Sequence, residues 1–110
     1  MSCGGCSLKG VRADVRARGE ALIHGLRLQG IPGWFTSGYR TRAKQAQLYN
    51  RFLAGRSKYP VAPPGHSAHE RGLAFDIGST AEGLAVAGRH AADLGLSWSP
   101  RDPVHFEVRG

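Results

Sequence analysis

The 110-residue sequence predicts a single α+β domain, a small antiparallel β-sheet backed by helices. Three observations predict it. Apolar residues recur at helical spacing between Val11 and Gln29. Short runs rich in aromatic and β-branched residues occur at WFTSGYR (34–40), LAFDI (73–77) and VHFEV (104–108). The elements then follow one another as helix, strand, helix, strand, helix, strand, strand, with no repeat and no low-complexity linker.

Taken in order, Val11, Val15, Leu22 and Leu26 make the apolar stripe of the first helix, which Gly30 and Pro32 stop. WFTSGYR reads as a strand running into a turn. Thr41 is placed to cap a second helix, with Ala46, Tyr49, Phe52 and Leu53 as its apolar face and Gly55 at its end. Pro60, Pro63, Pro64 and Gly65 make residues 56–68 a loop. LAFDI is the next strand. Ser79 followed by Glu82 reads as a capping box that opens a helix of small residues closing near Gly95. LSWS and VHFEV read as two last strands joined across Pro100–Pro103, with Val104, Phe106 and Val108 on one face and His105 and Glu107 on the other. Residues 1–10 form an N-terminal tail and 11–110 the domain.

Charge and cysteines narrow the classes. The net charge of +7 lies in residues 1–55, which hold nine cations and two acids, while residues 56–110 are balanced. Such a half suits an anionic partner, or it is a solvated arginine-rich surface. A nucleic-acid binder would interleave aromatic and basic residues, and that pattern is missing. No apolar run approaches the roughly 20 residues that span a bilayer, so membrane insertion is not expected. MSCGGCSLKG has no apolar stretch of a secretory signal, which predicts synthesis in the cytoplasm. Cys3 and Cys6 form a CxxC with no second pair to complete a zinc site and no preceding strand to make it a redox motif. They read as reduced thiols near a terminus.

The chemistry concentrates in GHSAHERGLAFDI (65–77). Asp76 sits inside an apolar strand, and a buried carboxylate needs a cation. HERG is not the helical HExxH zinc motif, because position 73 is Leu73. His66, His69 and His105 lie near element ends, and His69 just before a strand, Asp76 on that strand and His105 on a neighbouring one offer the three N/O ligands of a catalytic zinc with one open position. On spacing alone the same pattern is met by an Asp76–arginine ion pair with locally bonded histidines.

SAHERGLAFD (67–76) resembles the SxHxxGxAxD signature of the zinc D-Ala-D-Ala carboxypeptidases and L-alanyl-D-glutamate endopeptidases, the family of VanX- and VanY-type enzymes and several phage endolysins. SGYRTRAKQAQLY (37–49) is similar to its SGYR block, and DPVHFE (102–107) to its last motif. The resemblance implies the small α+β fold shared with the Hedgehog signalling domain. It implies His69, Asp76 and His105 as ligands of Zn2+, Asp102 as general base, and Arg40 as the group that polarises the scissile carbonyl. Ser67 and Gln45 would line or brace the substrate site, and the small Gly72 and Ala74 would leave room beside the metal. An aspartate at position 102 resembles the endopeptidase branch found in phage lysins, so the implied substrate is the L-Ala–D-Glu bond of the peptidoglycan stem, with D-Ala-D-Ala next. The implied partners are bacterial peptidoglycan and, for a particle-borne enzyme, other virion proteins, with access to the wall through a holin-type release or in a virion. A zinc-stabilised module without turnover is the alternative, and the presence of both Arg40 and Asp102 argues against it.

Overall fold

The computed structural model describes residues 8–108, so Cys3 and Cys6 lie outside the described residues. Helix α1 (Ala13–Leu28) leads to strand β1 (Gly33–Ser37) and helix α2 (Arg42–Leu53). A short 3-10 turn (Ala68–Arg71) opens onto strand β2 (Ala74–Ser79), helix α3 (Ala81–Ala91) and strand β3 (His105–Glu107). The three strands form one antiparallel sheet in the order β1-β2-β3, with β2 in the centre.

Alternation along these strands divides the sheet into an apolar face and a polar one. Phe75, Ile77 and Phe106 are fully buried on the first. Their aromatic rings stack at 5.7 Å between centroids, and Phe35 meets Phe75 edge-on at 5.6 Å. Val15, Leu22, Ile23 and Leu26 of α1 and Val86, Ala87 and Ala91 of α3 close over this face. Leu8, ahead of the expected domain boundary, is also buried in this core. The opposite face carries Ala74 and Asp76 of β2 beside Glu107 and His105 of β3, with which they pair.

Helix α2 departs from expectation. Thr41 does cap it, accepting from the Lys44 amide at 3.1 Å. Its expected apolar face is not buried: Phe52 is 36% and Leu53 64% exposed, and Gln45 is the helix's buried residue. The apolar face of the sheet is already covered by α1 and α3, and α2 instead contributes Gln45 and Leu48 to the cleft on the polar side. Two further expectations are corrected. The cap of α3 is Thr80, which accepts from the Gly83 amide, while Ser79 is still in the strand and its hydroxyl donates to the Pro32 carbonyl at 2.6 Å. LSWS contributes only an isolated bridge from Ser97 to Glu107, because the chain between Leu96 and Pro103 turns back around Trp98 rather than running alongside β3.

Gly72 ends the 3-10 turn with φ +70°, and a Cβ there would lie 2.7 Å from the Gly10 carbonyl oxygen. Its smallness serves the left-handed turn into β2 and the close approach of the N-terminal segment, rather than clearance beside a metal.

Candidate metal centre

Three segments bring their side chains together on the polar face. Ser67 opens the 3-10 turn, its hydroxyl accepting from the His69 amide at 3.2 Å. Glu70 reaches back to accept from the Ser67 amide at 3.1 Å and the Gly65 amide at 2.8 Å. This reciprocal cap fixes the backbone just where His69 leaves it. Asp76 projects from the middle of β2, and His105 stands directly opposite it on β3.

The ring nitrogens are committed in opposite senses. His69 Nδ1 lies 2.7 Å from the Gly38 carbonyl, which can only accept, so Nδ1–H donates and Nε2 is left bare. His105 Nε2 lies 2.6 Å from Glu107 Oε1, which leaves its Nδ1 as the free nitrogen. His69 Nε2, His105 Nδ1 and Asp76 Oδ1 then form a nearly equilateral triangle with sides of 3.2, 3.1 and 3.2 Å. Tetrahedral zinc with N/O ligands at about 2.0–2.1 Å spaces its donors by about 3.3 Å. The triangle therefore fits one face of such a tetrahedron, and three lone pairs aimed at one point need a cation between them. Glu107 and the Gly38 carbonyl orient the two rings as second partners of metal-bound histidines do.

In the metal-free chain a proton stands in that position. Burial works against charge on His105, but hydrogen bonds and attraction from Asp76 and Glu107 outweigh it and lift its pKa to about 9. Burial likewise opposes the Asp76 carboxylate, yet the hydrogen bond from His105 outweighs it and holds the carboxyl well below the usual range.

Arg40 is wired into the same carboxylate. Its Nη2 donates to Asp76 Oδ2 at 2.9 Å, its Nη1 to Gln45 Oε1 at 3.2 Å and its Nε to Ser37 Oγ at 3.0 Å. Asp76 thus divides its oxygens, Oδ2 to an arginine and Oδ1 to the donor triangle. The ion pair and the metal site, alternatives on sequence grounds, coexist. Gln45 braces Arg40 from one side and donates to the Ala62 carbonyl at 2.9 Å on the other, tying α2 to the loop. Among the described residues, two of the five guanidinium N–H groups meet no acceptor.

These groups line one cleft of about 380 Å³, which also takes in Asp102, Ser67 and the partly buried Tyr59. Desolvation raises the Asp102 pKa and the negative Asp76 adds to it, while His105, His69 and Arg40 pull it back. Every residue expected at the site is thus at this cleft. Sequence reasoning missed Glu107 and Glu70. Glu107 was detectable, being two residues from His105 on the same face of one strand, and Ser67 with Glu70 carries the same capping signature that was read at Ser79.

Comparison with known proteins agrees. The VanY D-alanyl-D-alanine carboxypeptidase family model matches residues 9–98, a span that holds His69, Asp76 and Arg40 and ends before Asp102 and His105. No curated protein matches the sequence at a significant level. Among solved structures, the chain is similar to the L,D-carboxypeptidase DacB of Streptococcus pneumoniae, with 25% identity and a TM-score of 0.72 over 91% of this chain and 67% of that one. It shares the fold of a VanY D,D-pentapeptidase from a VanB-type resistance cassette solved with Zn(II), at 22% identity and a TM-score of 0.75, covering 91% of this chain and 73% of that one. It also shares the fold of the L-Ala D-Glu endopeptidase ChiX of Serratia marcescens, at 24% identity and a TM-score of 0.64, covering 94% and 84%. With its centre and its sequence match in agreement, the chain belongs to the VanY D-alanyl-D-alanine carboxypeptidase family of peptidoglycan-acting peptidases.

Proposed function

We propose that the chain is a zinc-dependent peptidoglycan peptidase that hydrolyses the L-Ala–D-Glu bond of the stem peptide. The observation that carries the zinc reading is the triangle of bare donors, His69 Nε2, His105 Nδ1 and Asp76 Oδ1, with the fourth direction open to the cleft. Zinc held there supplies a Lewis acid that polarises a carbonyl and brings a water's pKa to about 7. Asp102, on the wall of the same cleft, accepts the proton of the attacking water at its carboxylate and returns it to the leaving amine. Its raised pKa suits both directions of that transfer. The two uncommitted N–H groups of Arg40 donate to the substrate oxygen as it gains negative charge. Gln45 and Ser37 hold the guanidinium in place for this, and Ser67 holds His69 while lining the cleft.

The choice of bond rests on Asp102, the residue by which the last motif resembles the endopeptidase branch of phage lysins. The same likeness supports a lysin or virion-borne setting. A second reading, removal of the terminal D-Ala from D-Ala-D-Ala, is favoured by the family model that matches. Mass spectrometry of muropeptides released from purified peptidoglycan by the zinc-loaded protein separates the two. New D-Glu amino termini support the first and loss of one alanine the second. Neither product, under conditions where a known lysin works, overturns the peptidase reading.

A further inference from the structure

Helix α2 is 12 residues long, and the residue it buries is an amide, Gln45. Gln45 ties the first half of the helix to Arg40 and to the Ala62 carbonyl. The second half ends in the open: every residue from 50 to 56 is exposed. Gly55 turns the chain there with φ +75°, and a Cβ on it would meet no atom within 4 Å. Phe52 and Leu53 sit on this tip, with the Tyr49 ring 6.3 Å from that of Phe52. A helix of this length draws most of its stability from a packed apolar face. Here two large apolar side chains project into solvent instead.

Charge decides what covers them. Residues 21–69 hold seven Lys and Arg and no Asp or Glu. Three of those cations, Arg51, Arg56 and Lys58, lie within five residues of Leu53, and all three are exposed. The next acid along the chain, Glu70, is taken up by the Gly65 and Ser67 amides. Two copies meeting tip to tip would set these cations against one another. A dissolved polyanion would pair with the cations but leave Phe52 and Leu53 in water. A bilayer with anionic headgroups takes both, the apolar side chains at its acyl boundary and the cations at its phosphates.

We propose that the tip of α2 is a docking site for an anionic membrane surface. Phe52 and Leu53 enter the boundary between headgroups and acyl chains, and Arg51, Arg56 and Lys58 meet the headgroup phosphates around them. The protein rests on the bilayer without spanning it, and among the described residues no helix is long and apolar enough to cross. Leu48 and Gln45, which line the metal cleft, precede Leu53 by five and eight residues. At 1.5 Å per residue they stand about 8 and 12 Å behind the tip. Docking therefore holds the cleft close above the headgroups, whatever reaction the cleft performs.

Co-sedimentation of the zinc-loaded full chain with lipid vesicles tests this. The probes are vesicles of phosphatidylglycerol and phosphatidylcholine in equal parts, and vesicles of phosphatidylcholine alone. The protein is expected to sediment with the first and not with the second, and less as salt rises. Leu53→Gln should weaken vesicle binding about tenfold, and Arg56→Gln and Lys58→Gln about fivefold each. All three side chains are exposed, so zinc content and thermal stability should stay at the parent's values. Release of muropeptides from purified, lipid-free peptidoglycan should be equal in the parent and Leu53→Gln, which separates docking from the peptidase reading. A protein that ignores the phosphatidylglycerol vesicles overturns the proposal. Vesicle binding lost in Arg56→Gln but intact in Leu53→Gln overturns it in favour of a polyanion. Dimerisation in solution that Leu53→Gln abolishes overturns it in favour of a second copy.

Discussion

The proton that occupies the centre of the metal-free chain sets a stability that depends on pH. His105 has a pKa of about 9 in the fold against 6.5 for a free histidine. A group whose pKa rises on folding stabilises fully below its unfolded value and loses that contribution as pH climbs through the folded one. The window therefore runs from about pH 6.5 to about pH 9, and the shift corresponds to about 3 kcal/mol. Asp76, whose pKa is depressed, is ionised in both states throughout this window and adds no slope. The assay is urea denaturation of the protein in a chelator at pH 6.5 and at pH 9.5. With an m-value of about 1–3 kcal/mol/M, the midpoint should fall by about 1–3 M. His105→Gln should flatten the difference, because every other titrating group is common to both proteins. A midpoint that does not move, or that moves equally in His105→Gln, refutes the reasoning. Zinc should reverse the sign: a coordinating Nδ1 cannot hold the proton, so apparent zinc affinity is expected to rise about tenfold per pH unit up to about pH 9.

Asp102→Ala should lower muropeptide release by about 10²- to 10⁴-fold with zinc content and melting temperature retained, and unchanged release would remove Asp102 from the chemistry. Glu107→Gln weakens the carboxylate that orients His105, so zinc affinity by competition with a chelator should drop about 10- to 100-fold; an unaltered affinity would mean that the 2.6 Å contact orients nothing. Gly72→Ala combines φ +70° with a Cβ 2.7 Å from the Gly10 oxygen, whereas Gly30→Ala meets φ +74° in open space. The left-handed conformation alone costs about 1–2 kcal/mol, so denaturation should show Gly30→Ala near that value and Gly72→Ala clearly beyond it.

Where a residue's partners lie close in sequence or follow a simple period, the sequence was readable. The stripe of α1, the odd carboxylate in LAFDI and the alternation from His105 to Val108 each express a local periodicity, and the structure places them accordingly, whereas Val104, expected on the core face, precedes β3 and lines the metal cleft. Expectations failed where a competing long-range contact decides. Ser79 has the residue type of a cap, but its hydroxyl is taken by the Pro32 carbonyl, 47 residues away, and Thr80 caps instead. Phe52 and Leu53 have the spacing of a buried face, yet α1 and α3 already occupy the only apolar side of the sheet. Arg40 was legible as a site residue from its motif, but its grip on Asp76 spans 36 residues and depends on how β2 lies beside the turn after β1.

The two-faced sheet has a further consequence for how such a chain can change over time. Core and chemistry are written on alternate residues of β2 and β3, Phe75, Ile77 and Phe106 facing one way and Asp76, His105 and Glu107 the other. Substitutions at His105 or Glu107 therefore leave the packed layer under α1 and α3 intact. A lineage can therefore discard its activity while retaining its shape.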